Sequence, residues 1–198
     1  MYIYFKRCAD FLISLAAILV LWPVMLVIAV LIRLTSPGPA IFRQVRAGRN
    51  GTGFTIYKFR TMYTTAPKNM PTHALAGADS YITPLGKFLR RSSLDELPQL
   101  LNILKGDMAL VGPRPALITQ YDLLAEREKY GANALRPGLT GWAQINGRDE
   151  LPIEVKARYD GEYVRRMSPA FDLRCLIGTV GCVFSASGVK EGAQSGKK

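Results

Sequence analysis

The dominant feature of the hydrophobic pattern is an uncharged stretch of 22 residues at positions 11–32. About 20 consecutive apolar residues are enough to cross the hydrocarbon core of a bilayer as one helix, so a spanning helix is one interpretation. Pro23, however, lies at the middle of the stretch, where its ring and its missing N–H bend a helix. Basic residues flank both ends of the stretch, and such flanks favour the cytoplasmic side of a membrane.

A re-entrant segment accounts for both the proline and the flanking charges. Each half of the stretch is about 11 residues, or roughly 16 Å of helix, which reaches about halfway through a hydrocarbon core roughly 30 Å thick. We therefore predict that residues 1–35 form a helix, a break at Pro23 and a second helix that returns to the same side. Backbone groups released at the bend would need hydrogen-bond partners within the lipid, and the spanning helix remains the alternative.

Shorter patterns after the apolar stretch predict a small α+β domain that is predominantly helical. Residues 41–45 and 54–57 have strand-like composition and are separated by an Asn50-Gly51 turn signal, which predicts a β-hairpin. Helical spacing of apolar residues predicts three helices after the hairpin, at residues 94–104, 116–130 and 151–167.

The last apolar stretch, residues 171–184, is interrupted by charged residues and glycines. It is too short and too broken to span a bilayer comfortably, so it is either an amphipathic interfacial helix or part of the core. Together these patterns predict three parts of the chain: a membrane segment (1–35), a cytoplasmic domain (36–184) and a flexible tail (185–198).

Two acidic residues stand at the start of the helix predicted over 94–104. Ser93 and Glu96 have the spacing of a capping box. If Asp95 is the cap instead, Pro98 falls in the first turn, where proline is tolerated. In either case Asp95 and Glu96 lie at a helix N-terminus, whose positive potential favours the ionised form of a carboxylate.

The amino-acid composition excludes some classes of protein and indicates which partners the chain could bind. Lys and Arg number 26 against 15 Asp and Glu, which gives a net charge of +11, and 48% of the residues are hydrophobic. The apolar fraction is too high for a disordered basic tail. Basic charge close to an apolar segment indicates an anionic membrane surface. Nucleic acid is the competing partner, but no nucleic-acid-binding motif is present, so we predict no nucleic-acid binding.

The numbers and spacing of cysteine and histidine argue against a disulfide-stabilised fold and against a metal site built from several histidines. The three cysteines include no CxxC pair, which argues against a disulfide framework and fits a reducing compartment. His73 is the only histidine, so a metal site built from several histidines is excluded.

A few carboxylates among many cationic side chains suit phosphate chemistry. Arginine binds phosphate oxygens through a planar pair of donors, and a helix N-terminus adds N–H groups. Mg²⁺ held by one or two carboxylates together with substrate phosphates would offset the repulsion between a carboxylate and a pyrophosphate. From the pattern alone, the acidic pair could equally be an ordinary helix cap. The basic candidates around the pair are Lys58, Arg60, Arg90, Arg114, Arg136 and Arg148.

Six ordered strings give the chain a specific resemblance. They are SPGPAIFRQ (36–44), KFRTM (58–62), SLDELPQ (93–99), KGDM (105–108), GPRP (112–115) and RPGLTG (136–141). In this order, over about residues 1–175, they resemble the bacterial sugar transferase family, the monotopic phosphoglycosyl transferases.

The resemblance implies an enzyme of the bacterial inner (cytoplasmic) membrane with a re-entrant helix and a catalytic domain on the cytoplasmic face. Such enzymes transfer a sugar-1-phosphate from a UDP-sugar to polyprenol (undecaprenyl) phosphate and release UMP, which begins glycoconjugate synthesis. By resemblance, Asp95 is the nucleophile that takes the phospho-sugar as an acyl phosphate, and it is also a Mg²⁺ ligand. Glu96 aids proton removal from the polyprenol phosphate or organises the metal.

The resemblance also assigns the basic residues. Arg114 and Arg90 resemble phosphate-binding arginines of the family, and Lys58, Arg60, Arg136 and Arg148 are further candidates for nucleotide or phosphate contacts. One departure concerns the bend, because Trp22 precedes Pro23 where some relatives have a serine whose hydroxyl could bond a released carbonyl.

Other functions stay open at the level of the sequence. A membrane-bound hydrolase of nucleotide-diphosphate sugars could use the same acidic pair and Mg²⁺. A non-catalytic basic adaptor could bind anionic lipid without any chemistry. The sequence does not identify the sugar or the downstream polymer, and it leaves a homo-oligomer possible.

Overall fold

The computed structural model describes residues 2–67, 77–147 and 151–185, and these form a mostly helical structure with two small sheets. His73, Arg148 and the tail after Ser185 lie outside the described residues. The helices are α1 (Tyr2–Thr35), α2 (Ala78–Tyr81), α3 (Pro84–Arg91), α4 (Gln99–Lys105), α5 (Tyr121–Glu128), α6 (Trp142–Ile145), α7 (Ile153–Arg166) and α8 (Pro169–Ser185). The strands are β1 (Ile41–Ala47), β2 (Gly53–Phe59), β3 (Ala109–Val111) and β4 (Gly138–Thr140).

The predicted β-hairpin is confirmed. Strands β1 and β2 pair antiparallel, with Ile41 opposite Phe59 and Ala47 opposite Gly53. Asn50 and Gly51 both have positive φ, 55° and 73°, which is the conformation that this residue pair adopts readily in tight turns. The second sheet consists of β3 and β4, which pair in parallel and are each only three residues long.

The prediction for residues 94–104 is wrong in its boundaries. A 3₁₀ turn at Leu94–Glu96 comes first, and α4 begins only at Gln99. The reason is Pro98, whose ring would clash with the carbonyl of Leu94 in a continuous α-helix and whose nitrogen has no hydrogen to donate. The predicted capping box is also wrong, because Ser93 has a left-handed backbone and its side chain makes no cap hydrogen bond.

The other predicted helices are present, with shorter bounds. Helix α7 agrees with the prediction for 151–167, whereas α5 begins at Tyr121 rather than at residue 116. The difference arises because Ala116 and Leu117 extend the hairpin: the N–H of Ala47 donates to the carbonyl of Ala116 at 3.0 Å, and Arg46 forms a bridge with Leu117.

Helix α8 has two different faces. Its inner residues Phe171 and Cys175 are buried in the main core. Its outer residues Leu173, Ile177 and Val180 are all more than half exposed. The main core fills the space between α4, β3, α6, α7 and α8, and its buried members are Ile56, Leu100, Ile103, Met108, Leu110, Val111, Trp142, Tyr163, Phe171 and Cys175. None of the three cysteines forms a disulfide.

Helix α1 is long and apolar enough to cross a membrane, judged by length and composition alone. It runs without interruption from Tyr2 to Thr35 with Pro23 inside it. The sequence predicts two helices separated by a break, and this is corrected to one continuous helix. An interior proline loses one hydrogen bond and its ring crowds the carbonyl four residues earlier, which can bend a helix without ending it. Because its fixed φ is close to the helical value, the residues on both sides of Pro23 keep a helical backbone.

Both ends of α1 pack against the rest of the chain, and the middle is exposed. Near the first end, Lys6 Nζ lies 2.7 Å from an oxygen of Asp172 on α8, and Arg7 donates to the carbonyls of Ile103 and Leu104 at the end of α4. Near the other end, Ile28 and Ile32 pack with Phe59 and Leu89. Between these contacts, Leu19, Val20 and Trp22 are more than half exposed. Residues on both sides of Pro23 are therefore attached to the same body.

Candidate active site

Four elements bring one acidic pair and three cations together. Asp95 and Glu96 lie in the 3₁₀ turn before α4, Lys58 is near the end of β2, Arg90 is in the last turn of α3, and Arg114 follows β3. Both acidic residues are buried, at 9% and 7% exposure. Carboxylates are rarely so buried without compensating charge, and here two of the three compensating cations, Lys58 and Arg114, are distant in the sequence.

Glu96 is held by two of these cations. Lys58 Nζ donates to Glu96 Oε1 at 2.8 Å, and Arg114 Nη2 donates to the same oxygen at 3.2 Å. Burial lowers the pKa of Lys58, and the charge of Glu96 opposes that shift. Glu96 therefore fixes the positions of two cationic side chains that flank its neighbour.

Asp95 has a different environment. Among the residues that the structure describes, none donates a hydrogen bond to its carboxylate. Burial raises the pKa of Asp95, Lys58 opposes the rise, and the charge of Glu96 adds to it. The predicted helix N-terminus is corrected, because Asp95 lies in a 3₁₀ turn and α4 begins four residues later. The charged form of Asp95 is favoured instead by the cationic side chains of Lys58, Arg90 and Arg114, which oppose the effect of burial on its pKa.

Arg90 is positioned near the acidic pair because α3 packs closely against Thr61, which lies just after β2. Arg90 Nε donates to Thr61 Oγ1 at 2.9 Å, and its charge opposes the rise in the pKa of Asp95. A Cβ at Gly86 would lie 2.0 Å from the carbonyl oxygen of Thr61, so only glycine permits this approach. Thr61 is a residue that the sequence reasoning did not single out, although it lies in the KFRTM string.

Asn102 is a second residue that the sequence reasoning missed. It is fully buried on α4; its amide donates to the carbonyl of Thr55 at 2.7 Å and its Oδ1 accepts from the N–H of Tyr57 at 3.0 Å. These are the bonds that a neighbouring strand would make with β2. Asn102 thus fixes β2, and with it Lys58, relative to the helix that follows the acidic pair.

Two of the predicted basic residues lie elsewhere. Arg60 is 6% exposed and donates through Nη2 to the carbonyl and the hydroxyl of Ser36, both at 2.7 Å, at the end of α1. Arg136 Nε donates to the carbonyl of Gly106 at 2.8 Å, just after α4. Both arginines therefore bond carbonyls at helix C-terminal ends, where positive charge is favourable, and the structure does not bring them to the acidic pair.

One carboxylate at the site could contribute to a magnesium site that substrate phosphates complete. Within residues 2–67, 77–147 and 151–185, no cluster of three or more His, Cys, Asp or Glu side chains could hold a metal. Magnesium, however, is commonly bound by one or two carboxylates together with substrate phosphates. Asp95 supplies a carboxylate of this kind.

Comparison with known proteins gives consistent matches. The sequence model of a family described as bacterial sugar transferase matches residues 1–186. The chain is 41% identical over 180 residues to a UDP-glucose:undecaprenyl-phosphate glucose-1-phosphate transferase of Xanthomonas campestris pv. campestris, covering 87% of this chain and 37% of that protein. It is 41% identical over 183 residues to the protein of the same name from Escherichia coli (strain K12), covering 88% and 39%.

A third relative has a similar length. The exopolysaccharide production protein PSS of Rhizobium leguminosarum bv. phaseoli is 41% identical over 186 residues, which cover 88% of this chain and 92% of that protein. The chain thus spans about two fifths of the two glucose-1-phosphate transferases and nearly all of the third relative.

Proposed function

Since the chain belongs to the bacterial sugar transferase family, we propose that it transfers a sugar-1-phosphate from a UDP-sugar to undecaprenyl phosphate, with release of UMP. The names of two relatives describe this reaction for UDP-glucose. One observation carries the proposal: the buried Asp95 carboxylate accepts no hydrogen bond from the described residues, while its neighbour Glu96 pairs with Lys58 and Arg114.

In the first half-reaction, an oxygen of Asp95 attacks the phosphorus that bears the sugar. A bond forms between that oxygen and the phosphorus, and the bond from phosphorus to the bridging oxygen breaks, so that UMP leaves with that oxygen. The product on the protein is an aspartyl phospho-sugar. Because the side-chain hydrogen bonds of Lys58, Arg90 and Arg114 in the described residues go to Glu96 and Thr61 rather than to Asp95, an oxygen of Asp95 can approach phosphorus without first losing such a bond.

In the second half-reaction, a phosphate oxygen of undecaprenyl phosphate attacks the same phosphorus. The acyl phosphate bond breaks, and the Asp95 carboxylate is restored. Glu96 lies next in the sequence and is the proposed acceptor of the proton that the acceptor phosphate gives up. A covalent intermediate lets two anionic substrates use one site in turn rather than together.

The cations offset the like-charge repulsion in both steps. Lys58 and Arg114 are held in place by Glu96, and Arg90 is held by Thr61, so their charges are oriented before a substrate binds. Preorganised positive charge of this kind is the main contribution that a protein makes to phosphoryl transfer. A bound Mg²⁺ would supply further neutralisation of the phosphate oxygens.

We propose that α1 is re-entrant in the inner membrane and that the catalytic body lies on the cytoplasmic face. The contacts of α1 support the re-entrant part of this proposal, and the basic residues that flank its apolar stretch favour the cytoplasmic side. A spanning helix would have its ends on opposite sides of a hydrocarbon core roughly 30 Å thick. In this protein the residues near both ends, Lys6 and Ile32, contact one and the same body. The exposed apolar face of α8 would lie at the same membrane surface, where the phosphate of the lipid acceptor is found.

The test measures UMP release by detergent-solubilised protein with UDP-glucose, UDP-galactose, UDP-N-acetylglucosamine and UDP-N-acetylgalactosamine. With Mg²⁺ but no undecaprenyl phosphate, the preferred sugar nucleotide should give no more than one equivalent of UMP and a phospho-sugar adduct on Asp95. Asp95→Asn should give neither product.

Three outcomes would contradict the proposal. Continuous UMP release without undecaprenyl phosphate would indicate a hydrolase. Release that strictly requires both substrates would exclude the covalent intermediate. Absence of release with every sugar nucleotide, combined with salt-sensitive vesicle binding that survives Asp95→Asn, would indicate a lipid-binding adaptor.

A further inference from the structure

The short segment that carries Arg114 is bonded on four successive carbonyls, each by a different donor. The donors come from β4, α5 and β1. The bonds are from the Gly138 N–H to Pro113 O at 2.8 Å, Arg127 Nη1 to Arg114 O at 3.0 Å, Arg46 Nη1 to Pro115 O at 3.2 Å, and the Ala47 N–H to Ala116 O at 3.0 Å.

The bond to Arg114 itself comes from a buried ion pair. Arg127 on α5 is 4% exposed, and Asp160 on α7 is 1% exposed. Arg127 Nε donates to Asp160 Oδ2 at 2.7 Å while Nη1 of the same guanidinium donates to the carbonyl of Arg114. A planar guanidinium can make both bonds at once with a fixed angle between them, which a lysine ammonium cannot reproduce.

Stability alone does not explain this pair. Burial of two charges costs several kcal/mol, and well-packed apolar replacements are often neutral or stabilising. Arg127 also keeps one nitrogen, Nη2, without a partner among the described residues. What the pair does achieve is to fix the peptide of the residue whose side chain reaches Glu96 at 3.2 Å.

We infer that Arg127, oriented by Asp160, is a positioning residue for Arg114 and thereby for the phosphate-binding charge beside the acidic pair. This inference rests on the proposed function and extends it to two residues on α5 and α7 that lie outside the group of site residues. Arg127 acts only through the main chain of Arg114. Its removal therefore matters only as long as the Arg114 guanidinium is present.

The test is a double-mutant cycle between Arg127 and Arg114, in which kcat/KM for UMP release is compared among the variants. The substrates are undecaprenyl phosphate and the UDP-sugar that the wild-type protein prefers. Arg127→Lys retains a charge to pair with Asp160, and we expect it to fold but to lose at least about tenfold in kcat/KM, since small misplacement of a phosphate-binding group has effects of this size. In an Arg114→Ala background, Arg127→Lys should cause no further loss. The apolar pair Arg127→Met with Asp160→Leu should behave in the same way.

Lys129→Met is the matched control, because Lys129 also lies near the end of α5 and forms an exposed ion pair with Glu126. It should leave both the activity and the unfolding temperature unchanged. If Arg127→Lys lowers the activity equally with and without Arg114, or leaves the activity intact while Arg114→Ala lowers it, the inference is overturned. If Arg114→Ala retains full transfer, the proposed site itself is wrong and the inference falls with it.

Discussion

At the scale of single residues, the neighbours Asp95 and Glu96 have different environments, because Glu96 pairs with Lys58 and Arg114. The sequence identifies both residues as candidates, since an acidic pair among cations is visible in the chain itself. The residue types alone do not separate Lys58 from Arg60, and only the family resemblance places Arg114 ahead of Arg136. Which of them meets Glu96 and which bonds a helix end depends on contacts between distant parts of the chain.

The raised pKa of Asp95 leads to a prediction about stability. Since burial disfavours the charged form, the folded protein binds this proton more tightly than the unfolded chain does, and its stability falls as pH rises from the unfolded pKa to the folded one. At pH 8, Asp95→Asn should therefore be more stable than wild type by on the order of 1 kcal/mol, or about 3 °C in Tm.

Thermal unfolding of detergent-solubilised protein with a chelator present measures this difference. The gain should shrink as the pH approaches the unfolded value of about 3.9. An Asp95→Asn variant that unfolds at a lower temperature than wild type at pH 8 would show that the charged carboxylate is stabilising.

Ser93 gives a second prediction at this scale. Its φ of 57° lies in the left-handed region, where a residue with a Cβ is strained by roughly 1–2 kcal/mol, and a β-branched residue is strained more. Ser93→Val should therefore be less stable than Ser93→Gly by about 1–2 kcal/mol, measured by thermal unfolding. Equal stability of the two variants would mean that the chain before Asp95 adopts another conformation.

At the scale of elements, local signals predict some parts and tertiary contacts decide others. The β-hairpin follows from Asn50-Gly51, a signal contained in the turn itself. The start of α4 is set by Pro98, which the leucine spacing of 94–104 obscures. Strands β3 and β4 are only three residues long and pair across a gap of more than 25 residues, so no local pattern could reveal them.

The first end of α1 depends on a buried charge cluster. Lys6 Nζ lies 2.7 Å from Asp172 and 3.3 Å from Asp10, and Tyr163 donates to Asp172 at 2.6 Å. Lys6→Met would leave two buried carboxylates without their cation, which typically costs about 3–5 kcal/mol. We expect faster amide hydrogen exchange in the first half of α1 and in α8.

Exchange near Ile32, which packs on a different cluster, should change much less. Adding Asp172→Asn to Lys6→Met should slow amide hydrogen exchange part of the way back toward the wild-type rate, because it removes one of the two uncompensated charges. Uniform exchange changes along the whole of α1 would contradict a local attachment at Lys6.

At the scale of the whole molecule, the proposed re-entrant arrangement of α1 predicts that Cys8 and the catalytic body face the same, cytoplasmic side of the membrane. Cys8 is exposed, whereas Cys175 is buried. In a variant with Cys175 and Cys182 changed to alanine, an impermeant thiol reagent should label Cys8 in inside-out vesicles and not in intact spheroplasts. Thr64→Cys in a cysteine-free background reports the position of the catalytic body, and labelling of Cys8 on the opposite side would support a spanning helix.

Attachment at both ends of α1 also restricts how the catalytic body can meet a lipid. No length of free chain separates this body from its membrane segment, so it cannot swing out to sample the surrounding volume. In the proposed reaction, encounters with undecaprenyl phosphate would then occur by lateral diffusion in two dimensions. The rate of the second half-reaction would follow the number of acceptor molecules per unit area of bilayer, and diluting them with inert phospholipid would slow it even at a constant total amount.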